Sequence, residues 1–223
     1  MKIVLWGATG MVGQGVLREC LAAPDVDEVL VVGRTGGGVV HPKLREIVHG
    51  DFFDYRSIEH ELQGYDACFF CLGVSAAGMD EAGYTRLTYD LTLAAANTLV
   101  RLNPAMVFVY VSGAGTDSSE QGRSMWARVK GRTENALRKL PFRQVFLFRP
   151  GFIEPVHGER SKTTLSRVVY VLSRPLVPLL RALFPRHILS TVIIGQAMLS
   201  VARHGAPRAI LECQDILDAA GRA

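Results

Sequence analysis

Cysteine is scarce in this chain, with four among 223 residues, at positions 20, 68, 71 and 213. So few thiols make no disulfide framework and fit a reducing compartment, for which the cytoplasm is the default expectation. Long apolar runs are also missing. The first, Ile3 to Trp6, is closed by Gly7, too short for the core of a signal peptide (about 7–15 residues) or for a spanning helix of about 20. Neither secretion nor a transmembrane segment is expected. Acidic residues are absent from 160–190, which hold six Lys or Arg. The formal charge of +4, from 25 basic and 21 acidic residues, therefore resides in that segment, and the remainder sums to 19 minus 21, or −2. One basic stretch is neither the broad basic face nor the reading motif that nucleic-acid recognition needs, so no nucleic-acid partner is expected. The six histidines show no metal-ligand spacing, and no Gly-x-Ser-x-Gly elbow occurs, which disfavours a metal or hydrolase site.

What remains is an ordinary globular composition, 48% hydrophobic and 21% charged. The length suits one large domain over 1–223 at roughly 100–200 residues per domain. Continuous apolar runs at 3–6, 29–32, 47–48, 67–72, 106–111 and 145–148 predict strands covered on both faces. Helical patterns at 12–22, 56–62, 85–102 and 124–139 alternate with them, which predicts an α/β fold with a doubly wound parallel sheet. After Gly151 the pattern changes. A helix over 191–203 and a strand over 209–212 close the chain, and 152–190 is expected to form a small helical cap or a subunit contact.

Gly7-Ala8-Thr9-Gly10-Met11-Val12-Gly13 lies between the first strand and the first helix. Glycines there permit a sharp turn and let backbone N–H groups approach a pyrophosphate at the helix N-terminus. The flanking strand and helix, and a second strand about 20 residues on, make the motif specific. NAD-selective folds of this kind place an acid after the second strand, whereas a 2′-phosphate favours Arg. This chain has Gly33-Arg34 and no acid between Val29 and Val40, so NADP is expected in preference to NAD. Asp51 and Phe52, after the third strand, either contact the adenine edge or merely form a turn.

These residues resemble the atypical short-chain dehydrogenase/reductases of the NAD(P)-binding Rossmann superfamily, in particular Tat-interacting-protein-like and nucleoside-diphosphate-sugar epimerase-like members. The resemblance rests on Gly7 to Gly13, Gly33-Arg34, Gly50-Asp51, Cys71-Leu72-Gly73, Val111-Ser112, Val129-Lys130-Gly131 and Phe148-Arg149-Pro150-Gly151. It implies a cofactor that runs from the glycine turn past Leu72, Gly73 and Val74 to a nicotinamide near Ser112, Lys130, Pro150, Gly151 and Phe152. In the family pattern a Tyr four residues before the Lys exchanges the proton, the Lys holds the ribose and lowers the Tyr pKa, and a Ser orients the substrate oxygen.

Here the position four before Lys130 is Trp126. An indole N–H only donates and does not ionise near neutral pH, so Trp126 could hold a carbonyl but could not pass it a proton. Ser112, Lys130 and Trp126 are the candidate catalytic residues, although Ser112 also reads as a strand-end hydroxyl bonded to the backbone. Two functions stay open: an oxidoreductase or epimerase-like protein acting on a small carbonyl, hydroxyl or nucleotide-sugar substrate, or a non-catalytic NADP(H)-binding redox sensor that reports to a regulatory protein partner. Residues 164–184 carry Arg167, Arg174 and Arg181 seven apart among apolar residues. They suit a cap, a lid over an anionic substrate, a contact with a second copy in a homodimer, or a membrane-surface stretch. Cys68 and Cys71 have redox spacing, but on a strand they point to opposite faces and read as buried core.

Overall fold

Along the first strand, Ile3 and Leu5 belong to one apolar layer and Val4 and Trp6 to the other, all fully buried. A strand covered on both faces needs no polar alternation, which is why its sequence is an unbroken apolar run. A computed structural model describes residues 1–156, 158–159 and 188–222. Its elements begin with β1 (Lys2–Trp6), α1 (Met11–Ala22), β2 (Glu28–Gly33), β3 (Leu44–Val48) and a 3₁₀ turn over Arg56–Glu61. Next come β4 (Ala67–Phe70), α2 (Glu81–Thr85) running through a π turn at Arg86–Asp90 into α3 (Leu91–Leu102), and β5 (Val107–Val111). The described chain ends with α4 (Met125–Leu137), β6 (Gln144–Arg149), β7 (Phe152–Glu154), β8 (Ile188–Ser190), α5 (Thr191–His204), β9 (Ile210–Glu212) and α6 (Cys213–Ala220).

Seven strands form one sheet in the order β3-β2-β1-β4-β5-β6-β9, and every neighbouring pair is parallel. This is the expected doubly wound architecture. The chain order reverses between β1 and β4, so the strand ends diverge there and open a crevice at their C-terminal edge.

Both sides of the sheet are packed. One layer joins Val16, Leu17 and Cys20 of α1 to Ile194, Met198 and Val201 of α5 over Ile3, Leu5, Val31 and Phe69. The other joins Ala95, Ala96 and Leu99 of α3 and Leu137 of α4 to Val4, Trp6, Phe70 and Phe108. Trp6 stacks on Phe70 at 6.0 Å and meets the edge of Tyr55 at 5.9 Å. Cys68 lies in the second layer and Cys71 packs against the first, and all four cysteines are free.

Several boundaries differ from the sequence reading. β3 starts at Leu44 because Arg45 and Glu46 sit in an edge strand that tolerates charge. The long helix starts at Glu81, since Asp80 caps it by accepting from the Gly83 N–H at 2.8 Å. The three-residue pair β7–β8 and helix α6 were not expected. Three residues are too short for a periodic signal, and α6 is announced only by the reciprocal capping of Glu212 and Asp215. Most of the expected cap, residues 160–187 with Arg167, Arg174 and Arg181, lies outside the described residues.

α1 and α5 approach so closely that a Cβ on Gly15 would sit 2.5 Å from Thr191 Cβ. Thr191 is fully buried at the start of α5, where Ser190 caps the helix, and has little room to move. Gly15→Ala is therefore expected to cost about 1–3 kcal/mol by overpacking. A urea titration would register this as a lower midpoint with an unchanged slope.

Candidate functional site

A cleft of about 900 Å³ opens at the C-terminal edge of the sheet, around the reversal point. Its floor is the turn from β1 into α1. Gly7 has φ +83°, and a Cβ there would lie 2.6 Å from the Leu72 backbone nitrogen. A Cβ on Gly13 would lie 2.1 Å from the Gly7 carbonyl oxygen. The turn is closed by the Gly10 N–H donating to that same oxygen at 2.9 Å. These contacts exclude any side chain at 7 and 13 and bring the first turn of α1 up against the crevice.

The N-terminus of α1 has no capping side chain and no acid in its first turn. Its leading N–H groups therefore face the cleft without a side-chain acceptor, in the arrangement that suits an anion. Gly7, Thr9, Gly10, Met11 and Val12 line the cleft, as do Arg34, Phe52, Leu72, Gly73 and Val74. Arg34 is exposed and makes no hydrogen bond or ion pair with the described residues. At the opposite end the lining is Val111, Ser112 and Lys130.

Other expected residues, Phe52 excepted, lie around the cleft without lining it. Gly13 is behind the turn. Asp51 accepts from the Phe53 N–H at 2.9 Å in a local turn, while Phe52 is buried beside His49 and Tyr55 and faces the cleft. Trp126 is half-buried against the Gly115 backbone, with its ring edge 3.6 Å from where a Gly115 Cβ would be. Pro150 is buried, and its carbonyl accepts from Ala114 N–H at 2.8 Å. Gly151 donates its N–H to Cys213 Sγ at 3.1 Å, and Phe152 opens β7. Pro150 thus supports the loop after β5, while Gly151 is tied to Cys213 and Phe152 pairs with Ile188 of β8.

The Ser112 hydroxyl is 2.5 Å from Glu134 Oε1 and 3.1 Å from the Phe148 carbonyl. With one hydrogen to donate and two protein acceptors in reach, it is engaged within the fold. Glu134 is fully buried and receives Arg149 Nε at 3.0 Å and Nη2 at 2.5 Å. Arg149 also reaches Ser118 Oγ at 2.5 Å and Glu212 at 3.2 Å. The Glu134 contact holds the guanidinium charged, above the ordinary arginine range. Sequence reasoning assigned no role to Glu134 or Arg149. A usable signal existed, because Glu134 is four residues past Lys130 and so shares its helical face.

Lys130 Nζ donates to the Ser112 carbonyl oxygen. Burial lowers its pKa to about 8, a shift that the nearby Glu134 carboxylate only partly opposes. Burial instead raises the other proton carriers nearby, Cys71, Tyr84 and Tyr110, above their ordinary values.

A family model described as NAD(P)H-binding matches residues 7–153. The chain belongs to this NAD(P)H-binding family. Among curated relatives, Protein FMP52-2, mitochondrial, of Scheffersomyces stipitis is 30% identical over 70% of this chain and 66% of its own length. Protein HTATIP2 of Rattus norvegicus is 26% identical over 68% of this chain and 62% of its own length. The alignments thus span 66% and 62% of these two relatives. Among solved structures, the Bordetella bronchiseptica enzyme WbmF in complex with NAD+ matches with a TM-score of 0.70 at 16% identity, covering 99% of this chain and 76% of that one. That likeness bears on the fold alone. The expected kinship with NAD(P)-binding proteins holds.

The expected cytoplasmic location does not. The Scheffersomyces relative and its counterparts from Emericella nidulans and Meyerozyma guilliermondii are all named mitochondrial. Unpaired thiols report reducing surroundings, and that property does not by itself name a compartment.

Glu134 and Arg149 form a buried pair, so removing one partner should leave the other uncompensated. Glu134→Leu is expected to lower stability by about 3–5 kcal/mol. Combining it with Arg149→Met should recover most of that loss, and urea titrations of the two single variants and the double variant measure the coupling.

Proposed function

We propose that the protein is an NADP-dependent member of its family that transfers hydride to or from a small carbonyl, hydroxyl or nucleotide-sugar compound. The observation that carries this reading is the cleft itself. It has uncapped helix amides at its centre, a cation without a partner among the described residues at one end, and a half-buried amine at the other. Its volume, about 900 Å³, lies in the range of ligand sites, roughly 300–1,000 Å³.

The residues present fit a dinucleotide. The tight Gly7–Gly13 turn brings the uncapped α1 amides to the cleft, where they would meet a pyrophosphate. Arg34 would pair with a 2′-phosphate, and Phe52 offers a ring edge near the adenosine end. Leu72, Gly73 and Val74 would flank the middle of the cofactor, and a Cβ on Gly73 would meet nothing, so backbone can approach there. Lys130 would donate to the ribose beside the nicotinamide. Pro150, Gly151 and Phe152 would lie toward the nicotinamide end, with the Pro150 carbonyl holding the Ala114 N–H of the loop after Ser112. When bound, the nicotinamide supplies or accepts hydride.

A second reading, a non-catalytic NADP(H) sensor acting through a protein partner, is favoured by one observation. Trp126 stands where the family pattern has Tyr and does not line the cleft.

Calorimetry with NADPH and NADH tests the cofactor assignment directly. Tight uptake of NADPH is expected. Arg34→Ala should weaken NADPH by about 10- to 100-fold, the equivalent of one lost charge-assisted contact of roughly 1.5–3 kcal/mol, with NADH little changed. Uptake of neither nucleotide overturns the proposal.

A further inference from the structure

We propose that Lys130 is the proton-exchanging residue of this protein, doing through its own Nζ what a tyrosine does in the family pattern; the inference rests on the hydride-transfer reading above. Three observations converge. Trp126 has no ionisable proton and lies against Gly115 outside the cleft. The Ser112 hydroxyl has Glu134 and the Phe148 carbonyl as its partners. Lys130 lines the cleft at the end where Val111 and Ser112 also lie, and its Nζ has one partner among the described residues, the Ser112 carbonyl. An ammonium has three N–H bonds. With one spent on Ser112 and one on the ribose of a bound cofactor, one remains for a substrate oxygen.

The surroundings suit that role. Glu134 is one helical turn further along α4, and its charge is shared with Arg149 of β6. From β5 come the Ser112 carbonyl and buried Tyr110. From the end of β4 comes Cys71, whose thiol burial keeps protonated. From α2, Tyr84 is buried and protonated, and Glu81 pairs with Arg128 on the outer side of α4. Asp117, in the loop before α4, is engaged by Ser119 and Gly122. Among the described residues lining the cleft, Lys130 is thus the group that can both hold and release a proton near neutrality, since Arg34 never releases one.

In the reductive direction a bound reduced dinucleotide would supply hydride to the carbonyl carbon and be oxidised in doing so. A C–H bond forms, the π pair of C=O moves onto oxygen, the Nζ–H bond breaks, and an O–H bond forms. Lys130 is left as a neutral amine and regains its proton from solvent. Reduction therefore requires the ammonium form and is expected to fall about tenfold per pH unit above the Lys130 pKa. Oxidation requires the amine and should rise toward the same pH.

The decisive test reads Lys130 without turnover. Lysines of the intact protein are reductively methylated with ¹³C-formaldehyde, and the Lys130 signal, identified by its loss in Lys130→Arg, is followed against pH. A midpoint near 8 is expected, and a midpoint above 10 overturns the proposal. In parallel, NADPH oxidation is followed with 4-nitrobenzaldehyde and phenanthrenequinone as probes. Lys130→Arg keeps the cation but cannot release a proton at these pH values. It should lower kcat by about 10²–10⁴ and abolish the alkaline limb while NADPH still binds in calorimetry. Retained kcat in Lys130→Arg, or no reduction of either probe by wild-type protein that binds NADPH, overturns the inference but not cofactor binding. Failure to bind NADPH at all sinks the reading beneath it.

Discussion

The candidate site depends on one steric constraint, the contact between Gly13 and the Gly7 carbonyl. A single methyl on Gly13 would lie 2.1 Å from that oxygen and 2.9 Å from Ala8 Cα. Only hydrogen at this position lets α1 begin directly beneath the end of β1. From that follow the exposed first-turn amides, the packing of Val16, Leu17 and Cys20 on the sheet, and the seating of α5 over Gly15. Local backbone permissiveness thus fixes a tertiary arrangement, and the same arrangement aims partial positive charge into the crevice.

The fold was legible because its central strands obey one rule. Each of β1, β2, β4, β5 and β6 is buried on both sides, so each writes itself as an uninterrupted apolar run, and the helices between them carry a 3.6 period. Legibility failed where that rule is suspended. β3 is an edge strand with Arg45 and Glu46 in it, β7 and β8 are three residues long, and α6 leans on a capping box. The glycine turn was equally plain, since its residues are contiguous. The far end of the cleft was not. It is assembled from β5, α4 and β6, and no pattern along the chain joins Ser112, Glu134 and Arg149.

That buried trio changes what the nearby hydroxyl and amine can do. A carboxylate with no exposure is tolerable only when charge and hydrogen bonds compensate it, and Arg149 supplies both. Having done so, Glu134 still has acceptor capacity, and the Ser112 hydroxyl fills it at 2.5 Å. The Ser112 carbonyl then remains for Lys130. Ser112 therefore acts on the amine through its backbone, while its hydroxyl ties the end of β5 to α4. A serine at this position is compatible with the family pattern and yet differently employed.

The balance of charge at the other end of the cleft bears on which dinucleotide is taken. Glu46 is the acid that could oppose a 2′-phosphate, since it lies on β3 close to the loop after Arg34. Its register partner on β2 is Val31, and its carboxylate receives the Gly37 N–H at 3.0 and 3.2 Å. It lines a neighbouring pocket of about 630 Å³ with Gln14 and Arg18, and it is not part of the lining that contains Arg34. The acid is thus turned to ordering the Gly36-Gly37-Gly38 loop, and among the described residues the guanidinium has no carboxylate partner to neutralise it. An unneutralised cation facing a cleft attracts a dianionic phosphate more strongly than a neutral hydroxyl, and this is the physical ground on which the proposed NADP preference rests.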